Sequence, residues 1–372
     1  MNKKIIVFGV ILVILIVSGI FLLLDNPNGY AVSDDEPIKI GIILPLSGST
    51  AFYGEASQRG IEVARKEIEE GYSGLDLEVY YEDSFYTPKG GVDAYRSLMN
   101  IYGIDGVITG ASQVSLAIQP LSTEDNILQM AIFSSALKYS SANDLSFRVT
   151  TRNELEANKI GEFISEMNFE RVGIFYMNND FGVSFKDSLR GSLMNSEVEV
   201  VGEEAFMTDA VDFRTSLSKM KEADVIFMVG TAKNYGLIMK QARELDLDIQ
   251  FLAMHSAEHP ALIKDYADVG DGLIYTYPFD AKSDKAKEFT NAFKERYGVI
   301  PNSYAVEGYE GFKLVALGFN ECGKDYVCIQ NYLEDLEDYD SLFGDLRFDS
   351  NGDVYYEHFL KIFKDGEFVK YD

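Results

Sequence analysis

Tryptophan is absent from this chain of 372 residues, cysteine occurs twice and histidine three times. The shortage of histidine narrows the chemistry, because a serine or cysteine nucleophile needs an adjacent base and only His255, His259 and His358 offer an imidazole. No G-x-S-x-G elbow, P-loop string or G-x-G-x-x-G occurs, so hydrolase and nucleotide-binding readings lack support and no cofactor is expected. Basic residues are scarce too: 33 Lys and Arg stand against 60 Asp and Glu, a net charge of -27. Phosphate backbones would be repelled, which removes nucleic acid as a partner, and the acidic balance suits the well-solvated surface of an extracytoplasmic protein.

Charge is also missing from residues 5–24, which follow Lys3 and Lys4 and end at Asp25. About 20 residues at about 1.5 Å each span a bilayer core of roughly 30 Å. A cleaved signal peptide has a shorter apolar stretch followed closely by small residues, whereas Ala31 and Ser33 lie well downstream. Residues 1–24 are therefore expected to be an uncleaved transmembrane anchor rather than a signal peptide. No cysteine follows the run to carry a lipid. The positive-inside tendency of Lys3 and Lys4 puts the body on the extracytoplasmic side of the cell membrane. Residues 25–37, rich in Asp, Asn, Pro and Gly, read as a flexible tether.

Outside the cytoplasm, Cys322 and Cys328 are expected to form a local disulfide, the alternative being two unpaired thiols. A zinc site would want about four ligands, and none is spaced for it.

From residue 38 the pattern alternates. The apolar run 38–45 reads as a strand buried on both faces, and 53–70 follows with Ser57, Gly60, Ile61, Ala64 and Ile68 on one helical face. Strand 75–81, helix 89–102, strand 104–109, helix 113–123 and strand 127–133 continue a βαβ series with a parallel sheet. A second series runs from helix 153–168 to strand 273–277, and helices 284–297, 303–319 and 326–337 precede strands near 346–348, 354–363 and 368–370. Asp349-Ser350-Asn351-Gly352 is a turn signal that lacks the ligand spacing of a calcium loop.

His255-Ser256-Ala257-Glu258-His259 matches the H-x-x-E-H string of one metallopeptidase class. That chemistry needs both imidazoles on one helical face, yet Pro260 biases His259 away from helical geometry and 251–254 reads as strand. A loop contact is the better reading. In open α/β sheets ligands bind beyond the carboxyl ends of the strands. The loops there carry Ser47-Gly48 and Tyr53, Ser112 and Ser115, Ser134 and Ser135, Phe181-Gly182, Thr231 and His255, hydroxyls and rings suited to a small amphiphilic ligand. Gly110-Ala111-Ser112 in particular forms a strand-to-helix corner that would bind an anionic or carbonyl oxygen.

Taken in order, Ile38-Lys39-Ile40-Gly41-Ile42-Ile43-Leu44-Pro45-Leu46-Ser47-Gly48, Tyr53-Gly54, Ser112 with Pro120, Arg148-Val149-Thr150, Asp180-Phe181-Gly182, Gln241-Ala242-Arg243, residues 272–278 and Phe348-Asp349 with Gly352 resemble the type I periplasmic binding proteins of the leucine/isoleucine/valine-binding family. The resemblance covers essentially all of residues 38–372. It implies an α/β, two-lobed fold, each lobe a mainly parallel sheet flanked by helices, with three crossovers at the hinge. Lobe 1 would comprise 38–151 plus 279–350, and lobe 2 would comprise 152–278 plus 351–372. It further implies that Ser112, Phe133 and Ser135 anchor a ligand carboxylate, and that Tyr53 and Phe181 cover the ligand from the two lobes.

Two departures stand out. His255 aligns where amino-acid binders usually carry the acid that pairs with the ligand ammonium, and Thr231 stands where an aromatic residue is frequent. Glu258, Glu307 or Glu310 could supply the missing charge, or the ligand is not a simple α-amino acid. The expected function is non-enzymatic: capture of an amino acid or related carboxylate or amide and delivery to the permease subunits of an ABC importer. The alternative is a ligand-sensing ectodomain acting through a separate signalling partner.

Overall fold

A computed structural model of the protein describes residues 36–72, 74–139, 144–279, 283–337 and 339–371. The expected anchor, 1–24, and all but the last two residues of the tether, 25–37, lie outside the described residues. Among those described, no helix is long and apolar enough to cross a membrane.

Five strands, β1 (Ile38–Leu44), β2 (Leu77–Asp83), β3 (Gly106–Gly110), β4 (Leu128–Ile132) and β5 (Ser146–Arg148), form a parallel sheet in the order β2-β1-β3-β4-β5. The apolar run of β1 serves both faces. Ile40, Ile42 and Leu44 join one core, while Ile43 joins Val107, Leu98, Val114 and Ile118 in another. Helices therefore cover the sheet on each side, as parallel strands require.

Two of these helices, Ala51–Gly71 and Ser303–Cys322, cross at very short range. A Cβ on Gly60 would fall 1.9 Å from the carbonyl oxygen of Ala305, and one on Gly308 would fall 2.3 Å from that of Ser57. Only bare backbone fits at both positions. The Ser57 hydroxyl fastens the crossing by donating to the carbonyls of Tyr53 (3.1 Å) and Tyr304 (3.0 Å). As a result, Tyr304 and Tyr53 end in one place, ring centroids 4.7 Å apart.

The second sheet has the order β14-β13-β10-β9-β8-β6-β7. Strands β6 (Arg171–Met177), β7 (Glu199–Phe206), β8 (Val225–Val229), β9 (Gln250–Ala253) and β10 (Ile274–Tyr277) are parallel. A small separate ribbon pairs β11 (Asp340–Ser341) with β12 (Gly344–Asp345), and β13 (Phe359–Lys364) and β14 (Glu367–Lys370) close the large sheet antiparallel.

The chain passes between the two large sheets after β5, after β10 and again beyond Asp349. At the last passage the sequence pattern misleads, since only 359–363 of the expected strand 354–363 joins the sheet. Val354 makes a lone bridge to Phe348. The Tyr356 hydroxyl donates to the Val149 carbonyl and its ring stacks on Phe343, so this stretch is held by side chains at the crossover and not by a strand partner. Nearby, Arg148 and Asp353 pair in full burial. Cys322 and Cys328 are disulfide-bonded, clipping the end of one helix to the start of the next.

Candidate functional site

The carboxyl ends of the strands in both sheets converge on one cavity. From the first sheet, β3 ends in Gly110, Ala111 takes a left-handed φ of 82°, and Ser112 opens the helix Ser112–Glu124. The Ser112 hydroxyl accepts the Ala136 N–H at 3.2 Å, which joins the loops after β3 and β4.

Beyond β4, Phe133 holds a positive φ of 37°, a conformation costing roughly 1–3 kcal/mol that persists only when its surroundings fix it. Two contacts do so. The Phe133 N–H donates to Glu307, and its ring lies where a Cβ on Gly110 would stand, at 2.3 Å. Ser135 follows on the same loop and lines the cavity.

From the second sheet, Asn179 caps the helix Asp180–Leu193 by accepting the Gly182 N–H, which sets Phe181 on its first turn at the cavity wall. Thr231 lines the cavity too, but its hydroxyl is engaged in a capping box with Asn234. After β9 the backbone turns through the short 3-10 segment His255–Ala257, bringing His255 to the wall.

Contacts across the cleft close it. Tyr304 lies 5.3 Å from His255 by ring centroids, Phe52 packs on His259 at 3.9 Å, and the Leu137 N–H donates to Ser184.

Of the sequence-predicted residues, Tyr53, Ser112, Phe133, Ser135, Phe181, Thr231 and His255 all line the cavity. Ser115 does not, and is corrected here. It sits one turn deeper in its helix, fully buried, where its hydroxyl meets Thr109 at 2.9 Å and its carbonyl takes a bond from Gln129. That network fastens the helix to its own sheet. Sequence reasoning also missed Tyr86, Thr150, Met177, Met254, Ser256 and Tyr304. Tyr86, Met177 and Met254 sit at strand ends, so the rule that found the others could have found them. Tyr304 carries no such signal, being delivered by the helix crossing.

The three carboxylates considered as substitutes for the acid at position 255 separate clearly. Glu258 accepts from the Tyr275 hydroxyl and Lys361, and Glu310 from the Tyr339 hydroxyl and the Leu342 N–H, all away from the cavity. Glu307 lies beneath the floor, accepting from Phe133 and Thr150, and burial holds its pKa above the ordinary carboxylate value.

An unforeseen carboxylate, Glu156, lies 3.4 Å from His255 Nδ1 and also accepts from the Thr276 hydroxyl. Burial alone would lower the His255 pKa and raise that of Glu156. The mutual attraction outweighs it, so His255 is shifted up and Glu156 down. His259, by contrast, is lowered to about 4 by burial, and its Nδ1 accepts the Ala261 N–H as a helix cap. The H-x-x-E-H string is thus split between two tasks. Among the described residues no cluster of three His, Cys, Asp or Glu side chains could hold a metal.

Ser112 is bonded to a backbone N–H, and Ser256 is bonded to the Gly230 carbonyl and the Tyr235 hydroxyl, so neither has a base beside it.

The periplasmic binding protein family profile matches residues 37–356. The chain is 24% identical over 328 residues to Leu/Ile/Val-binding protein homolog 1 of Brucella abortus (strain 2308), covering 85% of this chain and 87% of that protein. Its fold is similar to that of the leucine-binding protein LivK from Thermotoga maritima MSB8, with a TM-score of 0.84 at 23% identity over 90% of this chain and 98% of that one. A solute-binding protein of an ABC transporter from R. palustris, solved with benzoate, gives a TM-score of 0.82 at 19% identity over 90% and 95% of the two chains.

Proposed function

Starting from the fact that this chain belongs to the periplasmic binding protein family, a family of binding proteins and not of enzymes, we propose that it captures an amino acid or related small carboxylate or amide between two lobes and delivers it to an ABC importer. The lobes in this reading are 38–151 plus 279–350 and 152–278 plus 351–372, with residues 1–24 holding the body at the extracytoplasmic face of the cell membrane. Ser112, Ser135 and neighbouring backbone N–H groups hold the ligand carboxylate or amide oxygen, while Tyr53, Phe133 and Phe181 pack on its carbon skeleton. Thr231 and His255 set specificity from the facing lobe.

The observation that carries this reading is the convergence of strand-end loops from both sheets on one aromatic, hydroxyl-bearing cavity. The name of the Brucella relative points to branched-chain amino acids, and the benzoate of the R. palustris protein to carboxylates more widely. The proposal is tested by thermal unfolding against a panel of amino acids, amides, ureas and carboxylates. A ligand present at about 100 times its Kd adds about 2.7 kcal/mol of stability, a readily measured shift. A flat panel would sink the reading.

A further inference from the structure

The charges around the cavity have a definite order. Among the described residues, no Asp, Glu, Lys or Arg lines it, and its wall is chiefly five aromatic rings and two methionines. Apart from tyrosine, the titratable side chain in that wall is His255. Its partner Glu156 is buried and absent from the wall, so the pair shows its imidazole to the cavity and hides its carboxylate. An ammonium group enclosed here would lose its water without gaining an anionic partner, and a buried unpaired charge is strongly disfavoured. A carboxylate meets the opposite situation, with Ser112 and Ser135 on one side and an imidazole on the other.

Resting on the solute-binding reading above, we infer that this cavity selects a small carboxylate with an apolar body and no α-ammonium group, and that His255, backed by Glu156, excludes the zwitterion.

The groups around His255 support this. Glu156 faces it from the helix Asn153–Glu166, Glu258 from its own turn, Glu307 and the Tyr304 ring from the helix Ser303–Cys322, and His358 from the segment before β13. Burial opposes the imidazolium, but Glu156 first, then Glu307 and Glu258, raise its pKa. His358, lowered to about 4 by burial, stays neutral beside it. Glu258 is paired with Lys361. Glu307 is the remaining acid that could serve an amine: its Oε1 has no hydrogen-bond partner, but the residue does not line the cavity and its Oε2 accepts from Phe133 and Thr150. The rings could also attract a quaternary ammonium, but that cation would share the cavity with the imidazolium.

The test is calorimetric titration of the full chain in detergent with matched ligands that differ only at the α-carbon: leucine, 4-methyl-2-oxopentanoate and 4-methylpentanoate, then phenylalanine and 3-phenylpropanoate, with glycine betaine as the quaternary-ammonium zwitterion control. The amine-free acids are expected to bind at least about ten-fold more tightly than the amino acids. Their affinity should fall as pH rises and the imidazolium, stabilised by Glu156, loses its proton, and His255→Gln should remove that pH dependence. Glu156→Gln, a milder change, should weaken the acids and shift the pH dependence to lower pH. Leucine or phenylalanine binding as tightly as its amine-free counterpart, with Glu307→Gln abolishing the affinity, would overturn the inference and leave the solute-binding reading standing. So would tight binding of betaine, or binding confined to solutes without a carboxylate. Failure of every solute in both panels would remove the two together.

Discussion

Arg148 Nε stands 2.6 Å from Asp353 Oδ1, with both side chains out of contact with solvent. The pair links the end of β5 to the last passage between the sheets, and the same guanidinium donates to the carbonyls of Ser134 (3.1 Å) and Ala136 (2.9 Å) on the loop that carries Ser135. Removing one member of a buried ion pair typically costs about 3–5 kcal/mol, even though Arg152 Nε remains 3.7 Å from the second Asp353 oxygen. Arg148→Met should therefore lower stability by about that amount in urea unfolding. Arg148→Met combined with Asp353→Leu should recover part of the loss. A single variant as stable as the parent would show that the pair does not hold the crossover.

The crossing of helices Ala51–Gly71 and Ser303–Cys322 makes Gly60→Ala a sharp probe of the site's construction. The added methyl has no room, since backbone atoms of Ala305 stand 1.9, 2.7 and 3.1 Å from its position. Overpacking of this kind costs about 1–3 kcal/mol. Because the same crossing sets Tyr53 against Tyr304, ligand affinity should fall with stability. Gly71→Ala, at the open end of the first helix, is the control and should stay within about 0.5 kcal/mol of the parent. Equal behaviour of the two variants would refute this account.

These two cases show which parts of the molecule its sequence announces. The runs at β1, β3 and β4 are largely apolar on both faces, so a parallel sheet with helices on each side was legible, and six of the residues that line the cavity followed from their places after strands, with Phe133 added by the family resemblance. Tyr304 was not legible, because its place depends on two glycines in helices 247 residues apart at the Ser57–Tyr304 contact. Glu156 was hidden for a similar reason, lying 99 residues before His255 in a helix whose pattern shows only an amphipathic face. Ser115 misled because it shares a helical face with Ser112. At the end of a helix one turn separates a cavity wall from the packing beneath it.

Two histidines make stability sensitive to acid. His259 and His358 are each lowered to about 4, chiefly by burial, against about 6.5 when unfolded. Between those values the unfolded chain binds more protons than the folded one, so stability rises with pH there and is lost as pH falls from about 6.5 towards 4. Titrating thermal unfolding of the parent against a His259→Asn/His358→Gln double variant should show a shallower acid limb in the variant. Parallel curves would mean that these imidazoles titrate normally.

Ser112→Ala separates the two tasks that converge on one hydroxyl. Its oxygen accepts the buried Ala136 N–H, so alanine leaves that donor unpaired, at a cost of about 1–3 kcal/mol of stability. If the same hydroxyl also anchors the ligand's carboxylate, affinity measured by calorimetry should fall by about ten-fold or more, the loss of one charge-assisted hydrogen bond. The two readouts divide the explanations. Lower stability with unchanged affinity would make Ser112 a fastener between the loops after β3 and β4 and nothing more, leaving Ser135 and the backbone to hold the ligand. Loss of both, with the Tyr53 and Phe181 walls intact, is the outcome expected of a hydroxyl that organises its loop and meets the ligand.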